Sequence, residues 1–472
     1  MPFDYVLFKT DALLYILLVT VTIYAVYASK HKHLSAPWRQ VVRGKLSMCA
    51  AIILATYLLI SILDSIHFHP LLDKPTENNN AVYSTEIISL FDHLVGPLRL
   101  QTEKTYSAPF ATHLFSKETV ESAGAQSSRM YPRLEYGGIH LQNPGEQRFA
   151  DILKLTISGL LYGLIVWLLL AGMFILFLAR NSNTGFWLQT ENIIKGKTSV
   201  PWHVLFITFG VIIISGFICG HLSMKYHIFG TDKVGIDVFY QSLKGIRTGL
   251  LIGTLTTLIM LPFAVTLGVM AGYFRGWIDD VIQYLYTTLS SIPGVLLIAA
   301  AALLLEVYMA KHAEDFTNLA ARADLRLLFL CMILGVTSWT GLCRLLRGEA
   351  LKLREIDYIE ASRAFGVSHF TILVRHMLPN VMHIVMITIV LDFSGLVLAE
   401  AVLSYINIGV DPTMESWGNM INSARLEMAR EPVVWWSLVA AFFFMLGLVL
   451  SANLFADGVR DAFDPRIRQN IE

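Results

Sequence analysis

The chain has little charge and very little cysteine. Lys, Arg, Asp and Glu make up 15% of its 472 residues, against 55% hydrophobic residues. That balance excludes an ordinary soluble domain and a disordered chain. Lys+Arg and Asp+Glu both number 36, so nothing marks a nucleic-acid partner. The four cysteines, Cys49, Cys219, Cys331 and Cys343, lie in or beside apolar runs. No CxxC or Cys/His spacing suggests a metal, a redox centre or a disulfide framework. Such thiols serve as small apolar packing groups. Enzyme signatures are missing as well: no G-x-S-x-G, H-E-x-x-H or EF-hand pattern occurs. The nearest approach to a phosphate-binding loop is Lys195-Gly196-Lys197-Thr198-Ser199, but the position of its first glycine is Glu191 and no strand precedes it. No catalytic residue, resident cofactor or metal is therefore expected on this chain.

Long apolar runs are present instead. A helix needs roughly 20 apolar residues to cross a hydrocarbon core of about 30 Å. Nine runs qualify: 12–28, 47–66, 155–179, 203–223, 248–271, 281–306, 327–346, 381–403 and 434–456. Helices satisfy every backbone group within the segment, so the expectation is an all-α polytopic membrane protein with about nine transmembrane helices. Lysine and arginine bias sets the orientation. Lys30, Lys32, Arg39, Arg43 and Lys45 follow the first run with no acidic residue among them. That loop is expected inside. Counting spans then places 67–154 outside, 180–202 and 347–380 inside, the N-terminus outside and the C-terminus in the cytoplasm. The loop at Arg275, Asp279 and Asp280 is inside by count although slightly acidic. Val26-Tyr27-Ala28 fits a signal cleavage site, yet only Lys9 precedes the run, flanked by Asp4 and Asp11. A retained first span is expected.

The most informative segment is 349–381, EALKLREIDYIEASRAFGVSHFTILVRHMLPNV, lying between two apolar runs. Residues 349–364 show helical spacing, with Leu351, Ile356, Ile359 and Ala364 apolar among charged neighbours. Gly366 permits the positive φ of a helix C-cap. Ser368 suits the N-cap of a second helix running to Met377, and Pro379 marks the start of the next span. An amphipathic interfacial helix would share this periodicity. The residues themselves resemble the EAA loop of ATP-binding-cassette importer permeases, the element that docks on the cytoplasmic ATPase. Glu360, Ala361 and Ser362 stand at E-A-A/S, Gly366 at the glycine, and Leu378-Pro379 at the closing L-P. His376 replaces the usual aliphatic residue, and Arg375–Asn380 as R-H-x-L-P-N resembles the oligopeptide/dipeptide/nickel branch.

Three further stretches resemble that family. Phe229–Val238 resembles G-T-D-x-x-G-R-D: Gly230, Thr231, Asp232, Gly235 and Asp237 match, while Ile236 replaces the Arg. Asp232 and Asp237 could bind a cation or cap turns. Leu396–Met420 resembles E-x-x-L-S-F-L-G-L-G…S-W-G: Glu400, Leu403, Ser404, Gly409, Ser416, Trp417 and Gly418 match, while Tyr405 and Asn407 replace Phe and Gly. Trp417 is expected at the membrane interface. Glu400 and Asp392, ionisable residues in or near the membrane, are candidates to line a pathway or support a gate. The tail Ala456–Arg468 resembles G-D-x-L-R-D-x-L-D-P-R through Asp457, Arg460, Asp461, Asp464, Pro465 and Arg466.

The resemblance divides the chain into an extra N-terminal span (1–35), a lead-in segment with the first family helix (36–70), an insertion (71–222) and a permease core (223–472) containing the loop 349–380. The insertion holds an external segment, about 71–154, and two extra spans. His93, His113 and His140 lie in that segment, and His67 and His69 just before it, at irregular spacing. A metal site there is conceivable; a cap or a partner surface is the plainer reading. What the resemblance implies is a multi-pass permease subunit in a bacterial inner membrane. It would pair with a second homologous permease, two ATPase subunits or domains that carry ATP and Mg, and an external solute-binding protein. It would pass peptides or a related small solute. The alternatives are an ATPase-independent secondary transporter or channel, or a membrane scaffold with an external partner-binding insert.

Overall fold

The computed structural model of the chain describes residues 3–71, 83–121, 127–182, 184–312, 314 and 318–463. Strand β1 (Phe3–Val6) is followed by helices α1 (Lys9–Lys30), α2 (Lys32–Arg43) and α3 (Lys45–Asp64). Next come β2 (His67–Pro70), β3 (Ile88–Ser89), α4 (Leu90–Leu94), α5 (Gly96–Leu100), β4 (Glu118–Glu121) and β5 (Ser127–Met130). Then follow α6 (Pro144–Asn181), α7 (Phe186–Ile194), α8 (Trp202–Ser223), α9 (Val238–Phe274), α10 (Gly276–Ser291), α11 (Gly294–Lys311) and α12 (Leu319–Arg354). Helix α13 (Asp357–Ala364), α14 (His369–Thr371), a π turn (Ile372–Met377), α15 (Leu378–Tyr405), α16 (Trp417–Glu427) and α17 (Trp436–Phe463) complete the order.

Eight helices among the described residues are long and apolar enough to cross a membrane: α1, α3, α6, α8, α9, α11, the run His369–Tyr405, and α17. Two expected runs come out differently. The run 281–306 is broken, because Pro293 holds Ile292 extended (φ −86°, ψ 128°) between α10 and α11. The run 327–346 lies inside α12 but is not among the eight. The 17 uncharged residues between Arg326 and Arg344 are nevertheless about the shortest length that spans a bilayer.

The described chain divides into two compact units. The first comprises Met1–Val6, Val42–Arg247 and Glu415–Ser451. Its sheet runs β1-β2-β3, antiparallel throughout, and β4 pairs with β5 as a separate hairpin. The two spans of the proposed insertion, α6 and α8, form a tight hairpin. An alanine Cβ at Gly159 or Gly163 would lie 2.8 or 2.9 Å from the backbone of Ile218 or Ile214. Close approach of this kind is how small residues hold membrane helices together. The Trp167 indole crosses Gly210 and donates to the Phe206 carbonyl at 2.9 Å. Helix α8 also packs on α3, where the Thr208 hydroxyl donates to Cys49 Sγ at 3.3 Å.

The second unit comprises Leu7–Val41, Thr248–Met414 and Ala452–Glu472. One buried cluster joins α9 to α12 and the hairpin through Met260, Trp339, Leu346, Ile359, Ile372 and Met377. Another sets Leu14 of α1 against Leu251, Leu327, Leu330 and Leu403. At the start of α1, the Asp324 carboxylate of α12 accepts from the Lys9 amide (3.0 Å), the Thr10 amide (3.3 Å) and the Thr10 hydroxyl. A carboxylate on free amides suits the positive end of a helix.

Candidate functional site

The hairpin begins where α12 ends. Ile356 turns extended (φ −82°, ψ 133°) and α13 starts at Asp357, so the helix expected over 349–364 is two helices. Ile359 is the anchor of α13, 2% exposed within the α9–α12 cluster. Its other faces stay open: Glu360 and Ala361 are exposed. The half-buried Ser362 donates to the Tyr358 carbonyl at 2.7 Å. Gly366, with φ 77°, ends the helix. The Gly366 amide reaches the Arg363 carbonyl (3.0 Å) and the Val367 amide the Ser362 carbonyl (3.1 Å), the paired bonds of a Schellman cap. Phe365 and Phe370 flank it at 88% and 75% exposed.

Beyond the glycine, the Ser368 hydroxyl accepts from the Thr371 amide at 3.3 Å. The chain then continues through the π turn into α15 without the expected break. The widened turn ends two residues before Pro379, which lacks the amide a regular helix needs there. His376 is half-buried, its ring 6.2 Å from that of Tyr358, while Asn380 Nδ2 donates to Tyr358 Oη at 2.8 Å. Leu378 packs on the buried cluster and Pro379 is exposed. Bracing comes from residues that sequence reasoning missed. Arg347 makes a two-pronged pair with Asp279 at 2.6 and 2.8 Å, and this hydrogen bonding holds the Asp279 carboxyl below its usual range. Arg354 Nη1 donates to the Tyr273 carbonyl at 2.9 Å, and Tyr273 Oη lies 2.7 Å from His369 Nδ1.

In the first unit, both carboxylates of the 229–238 segment cap turns. Asp232 Oδ1 accepts from the Val234 and Ile236 amides, each at 2.9 Å. Asp237 Oδ1 accepts from Phe239 and Tyr240 at 2.8 and 3.1 Å, closing the start of α9. Thr231 Oγ1 donates to the Thr105 carbonyl (2.8 Å) and accepts from the Ser107 amide (2.7 Å). Gly230 and Gly235 have φ of 67° and 81°. A Cβ on Gly230 would lie 2.2 Å from the Ser107 carbonyl oxygen, and one on Gly235 1.7 Å from that of Glu103.

The segment 102–107 thus walls in this loop, and a buried charge cluster lies behind it. Glu103 accepts from the amides of Glu135, Tyr136 and Gly137 at 2.9, 2.9 and 3.1 Å. His227, 2% exposed, lies 2.6 Å from Asp237 Oδ2 through Nδ1 and 3.3 Å from Glu103 Oε1 through Nε2. Burial alone would lower the imidazole pKa, but Asp237 and Glu103 hold it at about 9. Burial would raise the Glu103 carboxyl; His227 and the three amides outweigh that and keep it low. Of the three, the sequence singled out only Asp237, through the 229–238 resemblance; Glu103 and His227 were missed.

Trp417, expected at the membrane interface, is 1% exposed. Its indole donates to the Ser242 carbonyl at 2.9 Å and lies on Gly245, where a Cβ would come within 2.8 Å. A buried indole needs such a partner. Ser416 caps α16 by accepting from the Asn419 amide at 3.0 Å, and Gly418 is buried. Trp436 Nε1, missed by sequence reasoning, donates to the Thr231 carbonyl at 2.9 Å.

In the second unit, Glu400 is 2% exposed and accepts from the Ser404 hydroxyl at 2.8 Å; Asp392 is half-buried. Asn407 ends α15 at φ 63°, with the Ile408 amide on the Leu403 carbonyl and its own amide on the Ser404 carbonyl, both at 2.9 Å. It fills the left-handed cap where the family has glycine. Asn407→Gly is expected to raise stability by a few tenths to about 1 kcal/mol, read as a higher unfolding midpoint in detergent; a fall would contradict it. Asp457, Arg460 and Asp461 lie in α17, whereas Asp464, Pro465 and Arg466 are outside the described residues. Among the described residues, no three His, Cys, Asp or Glu side chains group as metal ligands. His140 instead lies 2.7 Å from Asp151, which also accepts from Tyr226 at 2.8 Å.

A hairpin braced at its base and open at its tip suits contact with another protein. The family described as binding-protein-dependent transport system inner membrane component matches residues 264–469. A glutathione transport system permease protein of Pectobacterium atrosepticum is 32% identical over 245 residues, 51% of this chain and 73% of that protein. A dipeptide transport system permease protein of Bacillus subtilis is 30% identical over 243 residues, 52% of this chain and 70% of that protein. An oligopeptide transport system permease protein of Mycobacterium tuberculosis is 33% identical over 242 residues, 51% and 77% respectively. The chain belongs to the inner-membrane permease family of binding-protein-dependent transport systems, and is a multi-pass permease subunit of the peptide branch of ATP-binding-cassette importers.

Proposed function

We propose that this permease forms half of a translocation pathway for peptides, with a second homologous permease as the other half. Two ATPase subunits or domains, carrying ATP and Mg, would bind from the cytoplasm, and a solute-binding protein would deliver cargo from outside. The observation that carries this reading is the geometry of the hairpin. Helix α13 is seated by Ile359, capped by Gly366 and exposed along Glu360 and Ala361. Closure of the ATPases would draw such hairpins together, and α15, joined to the hairpin without a break, would carry the movement into the membrane. We assign the coupling role to Glu360, Ala361, Ser362, Gly366, His376, Leu378 and Pro379. Glu400 and Asp392 are the proposed gate-side charges. In this reading α12 is a ninth crossing, the N-terminus is outside, the C-terminus is cytoplasmic, and 71–222 is an insertion into the permease frame. The names of three relatives mention glutathione, dipeptides and oligopeptides, which supports a peptide cargo.

The test is affinity purification of the tagged chain in mild detergent. Wild type is expected to bring down an ATPase and a second permease, with ATPase activity. Glu360→Arg with Gly366→Pro is expected to lose the ATPase at least tenfold and keep the permease partner. An intact chain that brings down no ATPase would sink the importer reading.

A further inference from the structure

We propose that the open face of α12 carries a carboxylate-binding subsite for the cargo, with Arg344 as its anion-binding residue; this rests on the peptide-importer reading. Helix α12 has two faces. One is buried through Leu327, Leu334, Leu342, Cys343 and Leu346. The other opens on a recess of about 370 Å³ lined by Gly341, Arg344, Leu345, Gly348, Glu349 and Lys352. The recess stays open over Gly341 and Gly348, where an added Cβ would meet nothing within 4 Å.

Arg344 is exposed on this face. Its guanidinium lies 5.2 Å from the centroid of the Tyr286 ring, a cation–π contact that orients the fork without neutralising it. Its neighbours in charge are engaged elsewhere. Arg347 is held by Asp279, and Lys352 and Glu349 pair with each other at 3.0 Å. Among the described residues no carboxylate lies within ion-pairing distance of Arg344. Arg344 closes the apolar stretch of α12, and an arginine at that level beside an open recess faces water or a partner charge rather than hydrocarbon. Its planar fork matches a carboxylate two-pronged, which an ammonium does not. The free C-terminus of a peptide is such a group.

The assay uses the whole transporter, co-purified with its partners and reconstituted in phosphatidylcholine vesicles. Uptake of a labelled tripeptide is compared with that of its C-terminal amide. Wild type is expected to favour the free acid about tenfold. Arg344→Gln should bring the acid down to the rate of the amide, leaving amide uptake and basal ATP hydrolysis unchanged. Arg344→Lys should restore part of the preference. Equal slowing of both cargoes by Arg344→Gln, or an unchanged ratio, would overturn the proposal while leaving the importer reading intact.

A second measurement does not depend on turnover. Phenylglyoxal should modify Arg344 in the intact complex, and the free-acid peptide, but not the amide, should protect it, as mapped by mass spectrometry. Protection by phosphatidylglycerol vesicles alone would assign the site to a lipid headgroup and sink the cargo subsite. No modification at all would also sink it. Selective protection in a complex that imports neither peptide would keep the subsite and remove the peptide-import reading.

Discussion

Gly235→Ala is expected to cost the folded chain roughly 3 kcal/mol or more, through left-handed strain of about 1–2 kcal/mol and a steric clash of similar size. Two facts combine. The residue sits at φ 81°, and an added Cβ would lie 1.7 Å from the Glu103 carbonyl oxygen and 2.4 Å from its carbonyl carbon. No side-chain rotation relieves this, because the obstacle is backbone. That backbone is itself tied down: the Glu103 amide donates to the Gly235 carbonyl at 2.9 Å. Gly366→Ala is the natural comparison. Its φ is nearly the same, 77°, but a Cβ there meets nothing within 4 Å, so only the strain remains, about 1 kcal/mol. Unfolding midpoints of the detergent-solubilised variants, followed by fluorescence gel filtration, would separate the two. If Gly235→Ala falls no further than Gly366→Ala, segment 102–107 does not wall in the 229–238 loop.

The second large effect concerns His227. Its folded pKa of about 9 lies above the ordinary 6.5, so the protonated imidazole is the form the fold favours. The stabilisation is fully present below 6.5 and is lost as pH rises through about 9. For this 2% exposed side chain, the shift amounts to about 3 kcal/mol. His227→Asn should remove the alkaline loss and leave a lower, flatter profile between pH 6.5 and 10. It also strands Asp237 and Glu103 on that side, and breaking a buried pair in this way costs about 3–5 kcal/mol. Wild-type stability that stays level from pH 6.5 to 10 would rule out a charged His227.

Much of this molecule was legible in its sequence, for physical reasons that differ by region. Runs longer than a bilayer is thick announce helices whatever they pack on, so the spans were readable. The hairpin was readable because a left-handed cap calls for glycine and a following N-cap for serine, both local demands. Breaks were harder. Whether Pro293 ends a helix while Pro379 sits in a continuous one depends on a π turn, set by packing around Ile372 and Met377. Least legible was the cluster of Glu103, His227 and Asp237. Its members are 124 and 10 residues apart in sequence, and no periodicity links them. Trp417 misled because an aromatic at a span end suits either the lipid interface or a buried niche, and Gly245 and the Ser242 carbonyl supply the niche.

The π turn at Ile372–Met377 has a consequence for how the hairpin is aimed. A π turn holds one residue more than the α-helical geometry it interrupts, and each residue of an α-helix advances the chain by about 100° around its axis. The azimuth of α13, and so the bearing of Glu360, depends on residue count as well as on contacts. In a continuous shaft from His369 to Tyr405, that extra residue acts as a phase setting between the membrane and the cytoplasmic tip. Chains of this kind would keep the length of this segment more strictly than its composition.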